Sequence, residues 1–355
     1  MNLEDLRKLL DRVDEEILVL LNKRASLSKE IGKIKKEKNL PVFDPEREEE
    51  VIKKVIKKNK GPLKEKQLRS IYREILSASR SLQKPLSVAY LGPEATFTHQ
   101  AAIQRFGASA IYLPVRSIES VFREVEGERA NFGVVPIENS TEGVETHTLD
   151  MFMESELLIC DEIILRIVHS LLSFSPLKDI KRVYSHSQAL AQCRGWLEEN
   201  LPGVEIKAVY STAGAVEKTL SDREAAAIAS HLAGEIYHVP VVAKGIEDKS
   251  FNFTRFLVIG REERAYTGKD KTSLMFALKD EIGALFHTLE PFWKFRINLT
   301  KIESRPSRRK AWEYYFFVDL EGHKEEKNVR KAIEELEKRV TFLKVLGSYP
   351  RRERE

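Results

Sequence analysis

Apolar residues in the first forty positions recur three and four apart. Leu3, Leu6, Leu10, Val13, Ile17, Leu20, Leu27, Ile31 and Ile34 form one stripe, and this spacing predicts a heptad seam on a helix about 50 Å long. The seam position between Leu20 and Leu27 is held by Arg24. A second helical pattern begins near Pro45 with Asp44 as its N-cap, and a third covers roughly 64–83. From Leu86 onward, short apolar runs alternate with helical stretches. Strands are predicted at 87–91, 110–113, 132–135, 157–167, 182–184, 205–209, 225–229 and 256–259, an α/β pattern with helices covering a mostly parallel sheet. Residues 271–349 read strand (272–278), helix (283–292), strand (298–303), strand (314–320), helix (326–340), strand (342–346), the βαββαβ order of a ferredoxin-like unit. The expected chain is therefore multidomain: an all-α helical domain at 1–84, a two-lobed α/β domain at 86–262 and a ferredoxin-like module at 270–350.

Composition narrows the class. At 355 residues the chain exceeds one ordinary core, so two or three domains are natural. No run of about 18 apolar residues offers a membrane span. Glu4, Asp5, Arg7 and Lys8 replace an apolar signal core, and a cytoplasmic chain is expected. Two cysteines, Cys160 and Cys193, make no disulfide framework and suit a reducing compartment. No Cys/His cluster has zinc-ligand spacing and no Gly-rich phosphate loop appears, so neither a metal nor a nucleotide cofactor is expected. Residues 1–84 hold 22 Lys and Arg against 15 Asp and Glu, a surplus of seven that turns the overall +4 into −3 for the remainder. A basic helical segment calls for an anionic partner. Aromatic interleaving is absent and glutamates are mixed throughout, which speaks against nucleic acid and for a small polyanion. The abundance of Lys and Glu, within 32% charged residues, leans toward a thermophilic source.

Arg24 is the first candidate for chemistry. A guanidinium on an apolar seam is costly unless something negative meets it, and no carboxylate lies on its stripe within a turn. A facing helix supplies an acid, or a bound carboxylate ligand does; the alternative is a dimerisation hairpin that tolerates one arginine. Lys35, eleven residues on, points the same way about 16 Å along the helix. Arg7, seventeen residues before Arg24, is turned by about 100° and reaches such a pocket only in a paired subunit, which makes a homo-oligomer, at least a dimer, the expectation. Arg47 and Glu48 lie in the first turn of the second helix, and Ser79 and Gln83, four apart, share a face of the third.

The second candidate lies at 133–150. An apolar strand ending (Val134, Val135, Ile137) runs into Glu138, Asn139, Ser140 and Thr141 ahead of a helix-like pattern. Ligands of open α/β sheets sit off the carboxyl ends of strands, and a helix start offers free N–H groups to an anion. The competing reading is a well-capped surface loop.

Five segments in this order carry a resemblance: Gly-Pro-Glu-Ala-Thr-Phe-Thr at 92–98, the 133–150 stretch, Ser-His-Ser-Gln-Ala at 185–189, Ser-Thr-Ala-Gly-Ala at 211–215 and Asn-Phe-Thr-Arg-Phe at 252–256. Residues 86–262 thereby resemble the prephenate dehydratase family. The resemblance implies a two-lobed form like that of periplasmic binding proteins, with the site in the cleft. It makes Thr254 the proton donor and Asn139 and Gln188 the orienting amides. Glu138, Ser140, Thr96, Ser187, Ser211, Thr212 and Phe256 fall among the substrate-binding positions, and Arg255 is a carboxylate grip. Ala95 stands where that family often has Gly, and Ser187 where it often has Pro.

The helical segment resembles the all-helical chorismate mutases, with Arg7, Arg24, Lys35, Asp44, Arg47, Glu48, Ser79 and Gln83 on that family's site pattern. The likeness implies that Arg24 and Arg7 grip two carboxylates while Lys35 and Gln83 donate to the breaking ether oxygen. Glu48 accepts from the ring hydroxyl, with Arg47 and Asp44 as supports. Gly283-Ala284-Leu285 and Glu303-Ser304-Arg305-Pro306 resemble the effector motifs of a phenylalanine-sensing ACT domain. The small residues let backbone N–H groups approach an amino-acid carboxylate, and Asn298 and Glu303 take the ammonium side. Together these likenesses imply a fusion that converts chorismate through prephenate toward phenylalanine, without a cofactor and under feedback by phenylalanine. The rival reading is a non-catalytic amino-acid sensor with a two-lobed binding domain.

Overall fold

The computed structural model describes residues 2–38, 40–279, 281–307 and 313–352. The chain separates into two compact units, one formed by residues up to Ser87 together with Ile103–Ile111, the other by Val88–Ala102 and everything from Tyr112 onward.

The first unit is built on three helices: α1 (Leu3–Glu37), α2 (Pro45–Lys58) and α3 (Glu65–Ser81). Asn2 and Asp5 cap the start of α1 reciprocally, each accepting the other's backbone N–H, which satisfies donors the helix leaves open. Pro45 opens α2 and the Asp44 carboxylate accepts the Arg47 N–H at 2.9 Å. Both α1 and α2 pack on α3. The seam residues of α1 are nonetheless exposed within one chain, Leu10 at 60% and Leu20 at 64%.

The second unit holds three sheets. The first lobe contains β1 (Ser87–Leu91), α4 (Phe97–Phe106), β2 (Ile111–Val115), α5 (Ile118–Glu126), β3 (Phe132–Asn139), β4 (Gly143–Val144), α6 (Thr146–Phe152) and β5 (Leu158–Arg166). The chain then enters a second lobe of β6 (Ser170–Ser173), β7 (Arg182–Ser185), α7 (Ser187–Gln192), α8 (Arg194–Asn200), β8 (Glu205–Ala208), α9 (Thr212–Ser221), β9 (Ala225–Ala229), α10 (His231–Tyr237) and β10 (Val241–Lys244). It returns through β11 (Phe253–Gly260), which sits between β3 and β5 in the order β2-β1-β3-β11-β5. The second sheet runs β10-β6-β9-β7-β8.

Both sheets are mixed, not mostly parallel. β1 pairs parallel with β3, but β11 runs antiparallel to β3 and β5, and β6 runs antiparallel to β9 and β10. The antiparallel strands are the ones flanking the two crossings between lobes. β4, β6 and β10 are the strands that hydropathy does not reveal; β6 pairs only with strands more than fifty positions away, whereas the equally short β7 and β8 pair with each other nearby in sequence.

The ferredoxin-like module follows with β12 (Asp270–Ala277), α11 (Ala284–Lys294), β13 (Leu299–Pro306), β14 (Tyr314–Glu321), α12 (Lys327–Glu337) and β15 (Phe342–Pro350), its sheet ordered β13-β14-β12-β15. One face of this sheet packs on its own helices through Leu274, Phe276, Val318 and Leu320. The other joins the first lobe in one core, where Met275, Phe317, Leu346 and Tyr349 meet Val135, Ile159, Leu257 and Ile259. Gly347 permits the closest approach: with φ +149° it lies against the Ile159 backbone, where a Cβ would clash with the carbonyl oxygen. Among the described residues no helix is long and apolar enough to cross a membrane.

Candidate functional site

The helical unit brings part of the expected set together. The Arg24 guanidinium donates to the Ser79 hydroxyl and, at 3.4 Å, to the Ile75 carbonyl. Among the described residues no carboxylate meets it. Lys35 Nζ rests on the Pro41 and Val42 carbonyls at 2.9 and 3.1 Å. Gln83 packs on Gly32 of the same α1 face, and its buried Oε1 has no hydrogen-bond partner among the described residues. So α1 presents two cations whose partners in the chain are neutral oxygens, and α3 stands opposite with Ser79 and Gln83. Glu48 is held differently. Arg80, 5% exposed, donates to Glu48 Oε1 at 2.6 Å, donates to the Phe106 carbonyl and lies 4.8 Å over the Phe43 ring. Arg80 is the residue that sequence reasoning misses here, since one more basic residue in a Lys/Arg-rich helix reads as a solvated face. Arg47 pairs with Glu50 at 2.8 Å on the surface, and Arg7 is exposed, with no side-chain partner among the described residues.

The α/β domain gathers a polar network where the two lobes join. β3 ends at Asn139 and β11 begins beside it, with Thr254 in register opposite. Asn139 Nδ2 donates to Thr254 Oγ1 at 2.8 Å and to Asn252 Oδ1 at 2.9 Å. Its Oδ1 accepts from the Thr141 N–H and hydroxyl at 2.9 and 2.6 Å. Asn252 donates in turn to Gln192 Oε1 at 2.9 Å, which also lies 2.8 Å from His169 Nε2. Gln192 Nε2 reaches Thr141 and Glu142 at 3.2 Å. His169 sits on the first crossing and Asn252 on the second, so one chain of amides spans both. Burial holds the His169 imidazole below its ordinary range. His99, stacked on Tyr90 at 4.5 Å, is lowered for the same reason.

Other expected residues support the surrounding loops. Ser140 Oγ donates to the Phe251 carbonyl and accepts the Phe253 N–H, each at 2.9 Å. Thr96 Oγ1 donates to the Leu91 carbonyl at 3.2 Å. Ser211 caps α9 through the Gly214 N–H at 2.9 Å, with Thr212 as the first helical residue. Ser187 opens α7 and is exposed. Ala95 adopts φ +66°, the left-handed region that glycine favours, and its carbonyl accepts from Ser230 of the second lobe at 3.0 Å.

Several expected site residues have partners that the sequence does not announce. Gln192, one turn beyond Gln188 on α7, joins the amide network. Arg255 follows Thr254 on one strand, so its side chain takes the opposite face. Its Nε donates to Glu162 at 2.7 Å, Nη1 to Asp319 at 2.6 Å and Nη2 to the Tyr349 hydroxyl at 2.9 Å. Glu138 pairs with Lys301 of the ferredoxin-like sheet. Phe256 is 2% exposed and belongs to the core. In the C-terminal module, Arg305 is engaged by Asp150 of α6 through Nε and Nη2 at 2.9–3.1 Å. Asn298, Ser304 and Pro306 are exposed, Glu303 is half-buried, and Gly283 at φ +81° starts α11 ahead of Ala284 and Leu285. Among the described residues no group of three or more His, Cys, Asp or Glu is placed to hold a metal ion.

A helical unit with unneutralised cations, a two-lobed α/β domain with a hydroxyl–amide network and a ferredoxin-like module define a multidomain enzyme acting on small acids. Family models agree part by part: Chorismate mutase type II matches residues 6–84, Prephenate dehydratase 88–264 and ACT domain 272–338. The bifunctional chorismate mutase/prephenate dehydratase of Aquifex aeolicus is 56% identical over 98% of both chains, and that of Pseudomonas aeruginosa 45% identical over 98% of both. A solved prephenate dehydratase from Arthrobacter aurescens, in complex with L-Phe, is 34% identical and superposes with a TM-score of 0.71 over 75% of this chain and 90% of its own. The chain belongs to the bifunctional chorismate mutase/prephenate dehydratase family.

Proposed function

We propose that the two activities of the family reside at two separate sites of this chain, divided as 1–84 and 86–262, with phenylalanine read by 270–350. The observation that carries the first assignment is Arg24, a half-buried cation met among the described residues only by a hydroxyl and a carbonyl. Chorismate is a dicarboxylate that rearranges without a nucleophile or proton transfer. Folding it compactly needs cations on both carboxylates, and negative charge growing on the ether oxygen needs donors aimed at it. Arg24 takes one carboxylate, and Arg7 of a second copy takes the other. Lys35 and Gln83 donate to the ether oxygen, and Glu48, oriented by Arg80, accepts from the ring hydroxyl. The exposed seam of α1 supports pairing of two copies along this helix.

In the second site prephenate loses its ring hydroxyl as water and its ring carboxylate as carbon dioxide, giving phenylpyruvate. Thr254 donates to the departing hydroxyl of the substrate, and the Asn139–Asn252–Gln192 chain holds the Thr254 hydroxyl in place. The exposed Ser304 and the start of α11 form the phenylalanine site, which supports feedback inhibition. Cys160 and Cys193 are buried and unpaired, in keeping with a cytosolic setting.

Purified protein assayed by ultraviolet absorbance, with no cofactor added, is expected to consume chorismate and to form phenylpyruvate. Thr254→Ala is expected to lower dehydratase kcat by about 10²-fold or more and to leave the mutase rate unchanged. An unchanged dehydratase rate removes Thr254 from the mechanism, and absence of both reactions supports a sensor.

A further inference from the structure

We propose that Arg255 is a positioning residue for the dehydratase reaction, and that the ACT sheet acts on Thr254 through it. The inference rests on the reading of Thr254 as the proton donor and of the C-terminal module as the phenylalanine site.

Thr254 and Arg255 are consecutive on β11, the strand held between β3 and β5. One side chain enters the amide network through Asn139, and the other leaves the lobe. The ladder to β3 shifts register between Arg255 and Phe256, and such an irregularity re-aims side chains and weakens local pairing. The ladder to β5 is regular from Phe253 to Val258, so the irregularity is confined to the β3 side, where the Arg255 anchor helps set how Thr254 meets Asn139.

The anchor is divided between domains. Glu162 belongs to β5 of the first lobe, Asp319 to β14 and Tyr349 to β15 of the ACT sheet. Ser273 on β12 bonds Asp319 at 2.5 Å and lies 2.7 Å from the Tyr349 hydroxyl, while Lys271 on β12 donates to Glu162 at 2.8 Å. Three strands of the ACT sheet thus converge on one guanidinium. The fourth, β13, carries residues 303–306 and pairs directly with β14, with Lys301 opposite Asp319. An effector that tilts β13 and β14 shifts Asp319 relative to Glu162. Arg255 must then break a buried ion pair or move, and rupture that strands a buried charge is the costlier course. Movement of Arg255 carries its neighbour Thr254 with it.

The test uses the full chain with Asp319→Asn and, as the milder change, Tyr349→Phe. Four quantities are measured: mutase rate, dehydratase kcat, phenylalanine binding by equilibrium dialysis, and the ratio of dehydratase rates without and with saturating phenylalanine. Retained phenylalanine binding reports folding of the second unit, which carries both substitutions, and the mutase rate reports that of the first. Phenylalanine binding is expected to stay within about twofold, while the coupling between binding and rate falls about fivefold or more, within the usual range of allosteric coupling. Arg255→Lys keeps the charge but cannot serve three partners; it is expected to lose coupling and dehydratase kcat together. Folded variants whose inhibition still tracks binding as in the parent overturn the proposal, and so does loss of inhibition explained wholly by loss of binding. Failure of the Thr254 assignment is separate, because it appears as an unchanged rate in Thr254→Ala whatever the coupling does.

Discussion

Arg24 and Arg255 are both expected from sequence to grip a substrate carboxylate, and their surroundings are opposite. Arg24 meets a hydroxyl and a backbone carbonyl and no acid of the described chain. Arg255, its side chain 10% exposed, meets Glu162 and Asp319 directly and lies 3.9 Å from Glu138. Electrostatics agree at the second site. Burial alone would lower the Arg255 guanidinium, but Asp319 and its companions hold it well above the ordinary arginine value. Burial would raise Asp319, and Arg255 holds it below the usual carboxylate range. A cation already matched by internal anions has little to offer a diacid; one matched only by neutral oxygens has its full charge available. Internal acids within reach, more than residue type or motif, separate the two roles.

The largest effect expected from this contrast is on stability. Arg255→Met strands Glu162 and Asp319 in the interior and should destabilise the fold by about 3–5 kcal/mol in urea unfolding. Arg24→Met removes no internal ion pair and should change stability by less than about 1 kcal/mol. Similar losses for the two would erase the distinction. Next comes Gly347→Ala, which touches no charge but forces a Cβ onto the Ile159 backbone. It should cost about 1–3 kcal/mol and loosen the face that carries the Arg255 cluster; normal melting with normal phenylalanine inhibition would show that the close approach is immaterial. The smallest effect is on pH. His99 and His169 are held by burial below their unfolded value of about 6.5. The unfolded chain therefore binds protons more readily, and stability present above that value is lost as pH falls toward the depressed folded values. No histidine precedes His99, so dehydratase activity should fail before mutase activity on acidification below about 6.5. Parallel loss of both would place the acid-sensitive groups elsewhere.

Much of the molecule is legible in the chain. The α1 stripe, the Asp44 cap, the βαββαβ order and the meeting of Asn139 with Thr254 all follow from local period or from motifs. The short strands β6 and β10 do not, because their partners arrive from distant parts of the chain. Arg255 and Arg305 have partners that are hidden for a related reason. Each lies inside a motif, yet its partner is 64 or 155 positions away, in another domain. A signal for Arg255 was available: adjacent residues of a strand cannot face one site, so Thr254 and Arg255 had to divide. Gln192 was equally accessible, one helical turn beyond Gln188 on α7. Arg80 had no such signal, since its burial depends on Phe43 and Glu48 folding over it.

The account rests on Arg24 serving a guest carboxylate, and two rates from one preparation of Arg24→Ala test it most directly. Chorismate consumption should fall by about 10²–10³-fold, the size of losing one positioned donor, while conversion of added prephenate to phenylpyruvate stays within about twofold of the parent. Equal loss of both rates, or an unchanged rate of chorismate consumption, would contradict it.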